Sequence, residues 1–236
     1  GKAGAQSGSS LFGVVAEVNR LDQVWPSLLA LTRDDSNISH LSQVEAMLES
    51  GVRFIQFRSK LLTGTSLLDE VRLANALALQ AGAILIVNDC PEVTARSGAH
   101  GVHLGMRDAS LESARQLLGR ESIIGRTVHS LADAKRVKEE GYCDYVGLGP
   151  YRSSRTKREL TPVLSHAELI EIRSLLDPTP VYLIGGLGLA DFDLLGELGI
   201  TGLAVCSAFY EDDQLDSNLV SFVERAHSLD AVEVLP

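Results

Sequence analysis

Polar and charged side chains recur along this sequence directly after short apolar runs. Arg58 and Lys60 follow one such run, and Lys157 follows another. These cations suit a ligand with several anionic oxygens. The Gly185-Gly186 pair lets backbone N–H groups approach a phosphate closely, because glycine has no side chain to block them. The other polar residues in equivalent positions are Gln56, Asn88, Asp89, Asp108, Thr127, Ser154, Thr156 and Ser207.

Each of these features also has a purely structural interpretation. Arg58 and Lys60 fit a solvated strand end. Two successive glycines form a turn more often than a phosphate site. Asp89 and Asp108 each stand two residues before a predicted helix and are suited to cap it. The binding interpretation is favoured by the joint occurrence of these residues at positions that one fold would bring to a single edge.

The polar residues are positioned by eight short apolar runs that alternate with amphipathic stretches. Runs that are apolar on both faces are typical of parallel strands covered on both sides, and their alternation with helices is typical of an α/β fold. A count of eight favours a closed (β/α)8 TIM barrel, where active sites form at the C-terminal ends of the strands. The predicted strands are Leu28–Leu31, Phe54–Phe57, Ile84–Val87, Gly101–Leu104, Ile123–Gly125, Tyr145–Gly147, Val181–Ile184 and Gly202–Val205.

The pattern assigns residues 27–236 to one barrel domain and residues 1–26 to an N-terminal extension. We expect the start of this extension to be disordered and residues 11–26 to form an amphipathic helix. Glycines that follow the amphipathic stretches are suited to end helices. The predicted barrel helices are Ser42–Ser50, Ser66–Gln80, a helix near Pro91, Ser110–Leu118, Ser130–Glu140, Ser165–Leu176 and Leu219–Ser228.

Charge and composition exclude several classes of partner. The formal charge of −10 argues against nucleic acid or an anionic membrane as the main partner. It does not argue against anionic substrates, because a basic pocket can lie within an acidic protein. The three cysteines lack the spacing of a zinc site or a disulfide framework, which predicts reduced thiols in a cytoplasmic protein. No apolar run reaches the roughly 20 residues that cross a bilayer.

The ordered set of motifs resembles thiamine-phosphate synthases from about Leu28 to Phe209. The resemblance implies a TIM barrel that uses Mg²⁺ to join hydroxymethylpyrimidine diphosphate to thiazole phosphate, giving thiamine phosphate and pyrophosphate. Any one motif is weak, but their order and spacing together are specific. The motifs are Gln56-x-Arg58-x-Lys60, Asn88-Asp89, Gly101-Val-His-Leu-Gly105 followed by Asp108, Gly147-x-Gly149-Pro150, Thr156-Lys157 and Ile184-Gly185-Gly186.

The resemblance also implies a role for each matching residue. Asp89 and Asp108 would hold Mg²⁺. Arg58, Thr127 and Lys157 are the predicted catalytic residues, because pyrophosphate must leave with its charge neutralised. The pyrimidine diphosphate would be bound by Gln56, Arg58, Lys60, Asn88, Thr127 and Lys157. The thiazole phosphate would be bound by Ser154, Thr156, Gly186, Cys206 and Ser207.

Two alternatives remain open at this point. Thiazole tautomerases share the barrel, and in them a histidine at the position of His129 can act as a base. A non-catalytic barrel that binds a thiamine precursor is the other alternative. The chain also departs from the synthase pattern, since Met106 replaces glutamine, Ser154 replaces threonine, and Arg152 and Arg155 add charge to the loop after the sixth strand. The sequence leaves the oligomeric state open and is compatible with a homodimer.

Overall fold

The computed structural model describes residues 25–152 and 162–230, and these residues form a closed barrel of parallel strands. Each strand pairs with the next along the chain, and the last strand pairs with the first, with Ala204 opposite Leu29. The predicted TIM barrel is therefore confirmed. The strands are β1 Leu28–Leu31, β2 Phe54–Phe57, β3 Ile84–Asn88, β4 Gly101–Leu104, β5 Ile123–Val128, β6 Tyr145–Leu148, β7 Val181–Ile184 and β8 Gly202–Val205.

Helices connect successive strands and cover the outside of the barrel. The α-helices are α1 His40–Glu49, α2 Gly64–Gln80, α3 Pro91–Ser97, α4 Leu111–Leu118, α5 Leu131–Glu140, α6 His166–Leu176, α7 Leu194–Leu198 and α8 Leu215–Asp230. Two 3₁₀ helices, Leu189–Asp193 and Ser207–Asp213, precede α7 and α8. The residue pattern predicts no helix between β7 and β8, because the 3₁₀ turn and the five-residue helix found there are too short to show a clear period.

Three strands continue beyond their predicted ends. β3 includes Asn88, β5 includes Thr127 and β6 includes Leu148. Asn88 pairs with His103, and Thr127 pairs with Gly147. Two candidate binding residues therefore lie on the sheet itself, where neighbouring strands fix their backbone.

Aromatic rings fill the lower part of the barrel interior, towards the N-terminal ends of the strands. Trp25 packs against Phe54 and Tyr145, with ring centroids 5.7 Å apart in both cases. Tyr182 joins the cluster, 5.8 Å from Tyr145. A cluster of this kind excludes water from beneath the rim and gives the strands a common packed core.

Glycine on β5 makes room for this interior packing. A Cβ atom at Gly125 would lie 2.3 Å from Cζ of Tyr145 and 2.6 Å from Nδ1 of His103. Both neighbours are buried side chains held by their own hydrogen bonds. The position therefore excludes any side chain.

The N-terminal extension lies almost wholly outside the described residues, as do residues 153–161 and 231–236. The predicted helix over residues 11–26 stays a prediction, and so does the expected disorder at the start of the chain. The described part of the barrel nevertheless includes every strand and the rim at which the strands end.

We expect Gly125→Ala to lower the free energy of unfolding by roughly 1–3 kcal/mol, because overpacking forces buried groups to shift. Gly196→Ala is the matched control. Gly196 lies in α7 with no atom within 4 Å of the added Cβ, so alanine there should stabilise the helix. Urea denaturation of both variants checks the prediction. A Gly125→Ala protein as stable as wild type would contradict the packing described here.

Candidate functional site

Two carboxylates and an ammonium group meet at the C-terminal rim of the barrel. Asp89 follows β3 and Asp108 follows β4, and their side chains are hydrogen-bonded to each other. Nζ of Lys60, from the loop after β2, contacts Oδ2 of Asp89. Three neighbouring strands therefore contribute one charged group each to a single cluster, the Asp89–Asp108–Lys60 cluster.

Backbone hydrogen bonds hold both carboxylates in place. The backbone N–H of Asp89 donates to the His103 carbonyl at 2.8 Å, and Asp89 has a left-handed backbone with φ of 66°. Oδ2 of Asp108 accepts from the Gly105 N–H at 2.6 Å. The buried Arg126 of β5 supports the same loop by donating to the Ala109 carbonyl at 2.8 Å.

The helix-capping interpretation of these two residues is wrong. The N-cap of α3 is Cys90, which makes no side-chain capping bond. The N-cap of α4 is Ser110, whose hydroxyl accepts from the Ser113 N–H at 3.1 Å. Asp89 and Asp108 are thus free of a capping role.

Electrostatics within the cluster disfavour two ionised carboxylates. Burial raises the pKa of Asp108, and the hydrogen bond and negative charge of Asp89 raise it further, while Lys60 opposes the rise. Like charges at this separation disfavour double ionisation unless positive charge is added. Two carboxylates from adjacent loops are a donor set that fits Mg²⁺, which keeps water and substrate phosphates in its remaining positions. In residues 25–152 and 162–230, no group of three or more His, Cys, Asp or Glu residues could hold a metal.

Polar side chains on the strands line the rim beside this cluster. Asn88 of β3 has a buried Nδ2 with no acceptor among the described residues, so a donor there is available to an incoming oxygen. Thr127 of β5 places Oγ1 2.8 Å from Nε2 of His103. Gln56 of β2 is 3% exposed and is hydrogen-bonded to Tyr145. Gln56 is therefore more deeply buried than the described candidate residues Asn88 and Thr127.

The loop after β1 fixes the segment that carries Arg58 and Lys60. Asp34 accepts from the Lys60 backbone N–H at 2.7 Å and from the Ser59 hydroxyl. Oγ1 of Thr32 accepts from the Arg58 N–H at 2.9 Å. Burial opposes ionisation of Asp34, but these hydrogen bonds and that of His40 outweigh it and lower its pKa. No sequence pattern indicates Asp34 or Thr32, because their roles depend on contacts with residues far along the chain.

The opposite side of the rim is built from two glycines and a clamped arginine. Gly185 and Gly186 both have positive φ, and a Cβ at Gly185 would lie 2.9 Å from Pro150. Both guanidinium Nη atoms of Arg152 bind the Asp191 carboxylate at 2.7 Å, and Nη1 also donates to the Gly186 carbonyl at 2.8 Å. The charge of Arg152 is therefore used to hold the turn, not left for a ligand.

The family model for thiamine monophosphate synthase matches residues 28–209, from the first strand to the loop after the last. The chain belongs to the thiamine monophosphate synthase family. The resemblance inferred from the motifs is thereby confirmed. The matched range spans all eight described strands and includes residues 153–161, which the structure does not describe.

Relatives at moderate identity agree with this membership. A protein of Flavobacterium johnsoniae named thiamine-phosphate synthase is 36% identical over 178 residues, which are 72% of this chain and 82% of that protein. A thiamine-phosphate synthase of Parasynechococcus marenigrum is 35% identical over 188 residues, 78% of this chain and 53% of that protein. The solved thiamine phosphate pyrophosphorylase of Pyrococcus furiosus superposes with a TM-score of 0.76 at 24% identity, over 86% of this chain and 96% of that one. The last likeness concerns the fold alone.

Three of the residues that carry family motifs lie outside the described residues, namely Ser154, Thr156 and Lys157. Their predicted roles in this member of the thiamine monophosphate synthase family stay predictions. Cys206 and Ser207 are described, at the start of the 3₁₀ helix Ser207–Asp213 beside β8. The candidate residues that the structure describes all lie at or just below the C-terminal rim, as the predicted fold requires.

His129 also lies at this rim, where it connects two loops. Its Nδ1 donates to the Gly149 carbonyl at 2.6 Å, and its backbone N–H donates to Asp133. The ring thus ties the loop after β5 to the loop after β6.

In the described part of the chain, no helix is long and apolar enough to cross a membrane.

We expect the pKa of Asp108 to respond in opposite directions to its two charged neighbours. Asp89→Asn should lower it by removing a like charge, and Lys60→Met should raise it by removing a favourable one. The raised pKa means that the folded protein binds the carboxyl proton of Asp108 more tightly than the unfolded chain does. Ionisation of Asp108 therefore lowers the free energy of unfolding as the pH rises above about 3.9. Carboxyl NMR titration of the metal-free protein measures these shifts. An ordinary Asp108 pKa, unchanged in both variants, would contradict the close contact of the two carboxylates.

Proposed function

We propose that this chain is a thiamine-phosphate synthase. It joins hydroxymethylpyrimidine diphosphate to thiazole phosphate and releases pyrophosphate. One observation carries the proposal: in a member of the thiamine monophosphate synthase family, the Asp89–Asp108–Lys60 cluster lies beside the unpaired donor of Asn88 on one rim. Such a site offers both metal ligands and donors to a diphosphate. The diphosphate donors and metal ligands together favour a synthase over a tautomerase, and the metal ligands favour it over a barrel that only binds a precursor.

Asp89 and Asp108 are the proposed ligands of Mg²⁺. Their carboxylate oxygens suit a hard cation, and the raised pKa of Asp108, caused first by burial and then by Asp89, indicates a site that gains from added positive charge. When bound, the ion would neutralise charge on the diphosphate oxygens. Lys60 forms an ion pair with the Asp89 carboxylate in this structure. When Asp89 holds the metal, Lys60 would be free to contact a phosphate oxygen of the diphosphate.

The remaining rim residues would hold the two substrates in position to react. Gln56, Arg58, Asn88 and Thr127 would face the pyrimidine diphosphate, with Lys157 completing the charge around the leaving pyrophosphate. Holding the thiazole nitrogen against the methylene carbon makes attack effectively unimolecular. The proposed thiazole phosphate site is formed by Ser154, Thr156, Gly186, Cys206 and Ser207.

The Gly185-Gly186 turn suits a phosphate because the carbonyl groups of both glycines already accept hydrogen bonds from Arg152. Arg152 binds the Gly186 carbonyl, and the Arg152 N–H binds the Gly185 carbonyl at 3.0 Å. The turn is therefore fixed before any ligand arrives, which lowers the entropy cost of binding. We further propose a cytoplasmic enzyme acting on small phosphorylated substrates, with a homodimer as its candidate assembly.

A coupling assay tests the proposed function directly. Protein, Mg²⁺, pyrimidine diphosphate and thiazole phosphate should yield thiamine phosphate by mass spectrometry, and EDTA should abolish the product. Isomerisation of the thiazole without coupling would favour the tautomerase. Tight binding of either substrate without product would favour the non-catalytic barrel.

Asp89→Ala and Asp108→Ala should each abolish most turnover and raise the Mg²⁺ needed for half-maximal activity. Their melting temperatures without substrate should stay near that of wild type, because two carboxylates alone bind Mg²⁺ weakly. Glu140→Ala is the control, since Glu140 ends α5 at the other end of the barrel and pairs only with Arg136 among the interactions the structure describes. Two active variants with an unchanged Mg²⁺ requirement would refute the proposed ligands.

Lys157→Ala should leave the fold intact and lower turnover by roughly a hundredfold or more, the scale of losing one preorganised electrostatic contact. Steady-state kinetics and circular dichroism of the variant check both parts. Lys138→Ala provides a comparison, because Lys138 binds the Leu175 carbonyl on the outer helices. Activity of Lys157→Ala within about twofold of wild type would identify Lys157 as a solvated lysine.

A further inference from the structure

The loop after β1 holds a carboxylate that is surrounded by three hydrogen-bonding partners. Oδ2 of Asp34 accepts from the Lys60 backbone N–H at 2.7 Å, and Oδ1 accepts from the Ser59 hydroxyl. Oδ1 also lies 3.0 Å from Nε2 of His40. Because the side chain of Asp34 is only 16% exposed, these protein groups and not water satisfy most of its capacity to accept hydrogen bonds.

His40 keeps this carboxylate in one place. The imidazole bridges the loop, with Nε2 at Asp34 and Nδ1 2.9 Å from Oγ1 of Thr32. The ring is buried and packs against the ring of Phe57 on β2, with centroids 4.9 Å apart. Contacts on three sides therefore hold the imidazole, and the imidazole holds Asp34.

The same bonds fix the backbone of the cationic segment Arg58–Lys60 without using its charges. Thr32 accepts from the Arg58 N–H at 2.9 Å. The hydroxyl oxygen of Ser59 accepts from the N–H groups of the two residues after Lys60, at 3.2 and 3.0 Å. None of these bonds involves the guanidinium of Arg58 or the ammonium of Lys60. The loop after β1 thus restrains the segment and leaves both positive charges for other partners.

A second carboxylate has a comparable set of bonds on the other side of the rim. The side chain of Asp191 is 11% exposed, and it accepts from both Nη atoms of Arg152 and from the Gly188 N–H, all at 2.7 Å. Arg152 in turn binds the carbonyls of Gly185 and Gly186. The two networks have no residue in common, so each can be loosened without the other.

We propose that each phosphorylated substrate has its own positioning carboxylate: Asp34 sets the affinity for the diphosphate, and Asp191 sets the affinity for the thiazole phosphate. This inference rests on the proposed function for the substrate that each side binds. Neither carboxylate has to touch a substrate. Each fixes a binding segment before the ligand arrives, so less conformational freedom is lost on binding.

The sign of the effect separates positioning from charge. Both residues are negative groups beside proposed sites for anions, so neutralising either of them would tighten binding if charge alone mattered. An amide nitrogen cannot accept a hydrogen bond, so an asparagine at either position loses at least one of the bonds that hold the segment. Positioning therefore predicts weaker binding from a substitution that charge alone predicts to strengthen it.

The experiment compares Asp34→Asn with Asp191→Asn by calorimetry. One titrant is inorganic pyrophosphate with Mg²⁺, and the other is thiazole phosphate added to protein saturated with Mg²⁺ and pyrophosphate. Asp34→Asn should weaken pyrophosphate binding roughly tenfold, the scale of one lost hydrogen bond to a charged group, and change thiazole phosphate binding by less than about twofold. Asp191→Asn should give the reverse pattern.

Asp35→Asn is the matched control for charge. Asp35 follows Asp34 in the same loop, but it is 59% exposed and pairs with Arg33, outside both networks. It should leave both affinities within about twofold of wild type. Unchanged or tighter binding of the assigned ligand by either of the two test variants would overturn the proposal. Equal losses for both ligands in both variants would also overturn it, because they would indicate a general loosening of the barrel.

Ser59→Ala tests the same restraint with the carboxylate intact, and it is the milder change if Asp34→Asn folds poorly. It removes the hydroxyl that donates to Asp34 and that accepts from the loop N–H groups. Pyrophosphate binding should weaken in the same direction as in Asp34→Asn, with thiazole phosphate binding unchanged. Wild-type affinity for pyrophosphate in this variant would contradict a restraint that acts through the segment.

The proposed function fails separately from these positioning roles. A wild type that binds pyrophosphate with Mg²⁺, and loses this affinity in Asp34→Asn, but makes no thiamine phosphate, keeps the role of Asp34 and loses the synthase assignment. Formation of thiamine phosphate with unchanged affinities in both asparagine variants keeps the synthase assignment and removes the positioning roles.

Discussion

Closure of the barrel by the pairing of β8 with β1 is the constraint on which the site depends. Residues as distant as Asp34 and Ser207 become neighbours of one opening only because parallel strands end on the same side and the sheet has no free edge. The interior must then be filled, and an aromatic cluster does so from below. At the rim, polar groups of the described interior meet water, so chemistry collects there.

Much of this arrangement was predictable from the sequence because it depends on local patterns. Apolar runs placed every strand within a few residues, and the motifs placed Asp89, Asp108 and Lys60 on adjoining loops. Strand ends were less predictable, since Asn88 and Thr127 are polar yet continue their ladders. A polar residue ends an apolar run in the sequence, but in a barrel it only marks the point where the interior meets solvent.

Long-range pairing was the part that sequence patterns did not reveal. The sequence indicates Arg152 only as added charge in the loop after the sixth strand, yet Arg152 pairs with Asp191, 39 residues away. Asp34 fixes the backbone of Lys60 across 26 residues. Neither pair has a characteristic spacing, because the distance along the chain is set by the helices between them. The buried His103 is an intermediate case. Gly125 and Gly147 can be recognised in the sequence, but only the fold shows that both of them lie against the His103 ring.

The position of Trp25 below the barrel has a consequence for how this fold accepts added sequence. Pro26 precedes β1 and Asp230 ends α8, and both line one cavity at the N-terminal end of the strands. The described chain thus enters and leaves on the face turned away from the rim. A tag or further domain joined at either point would therefore extend from that face. It would not cover the rim at the opposite end of the barrel.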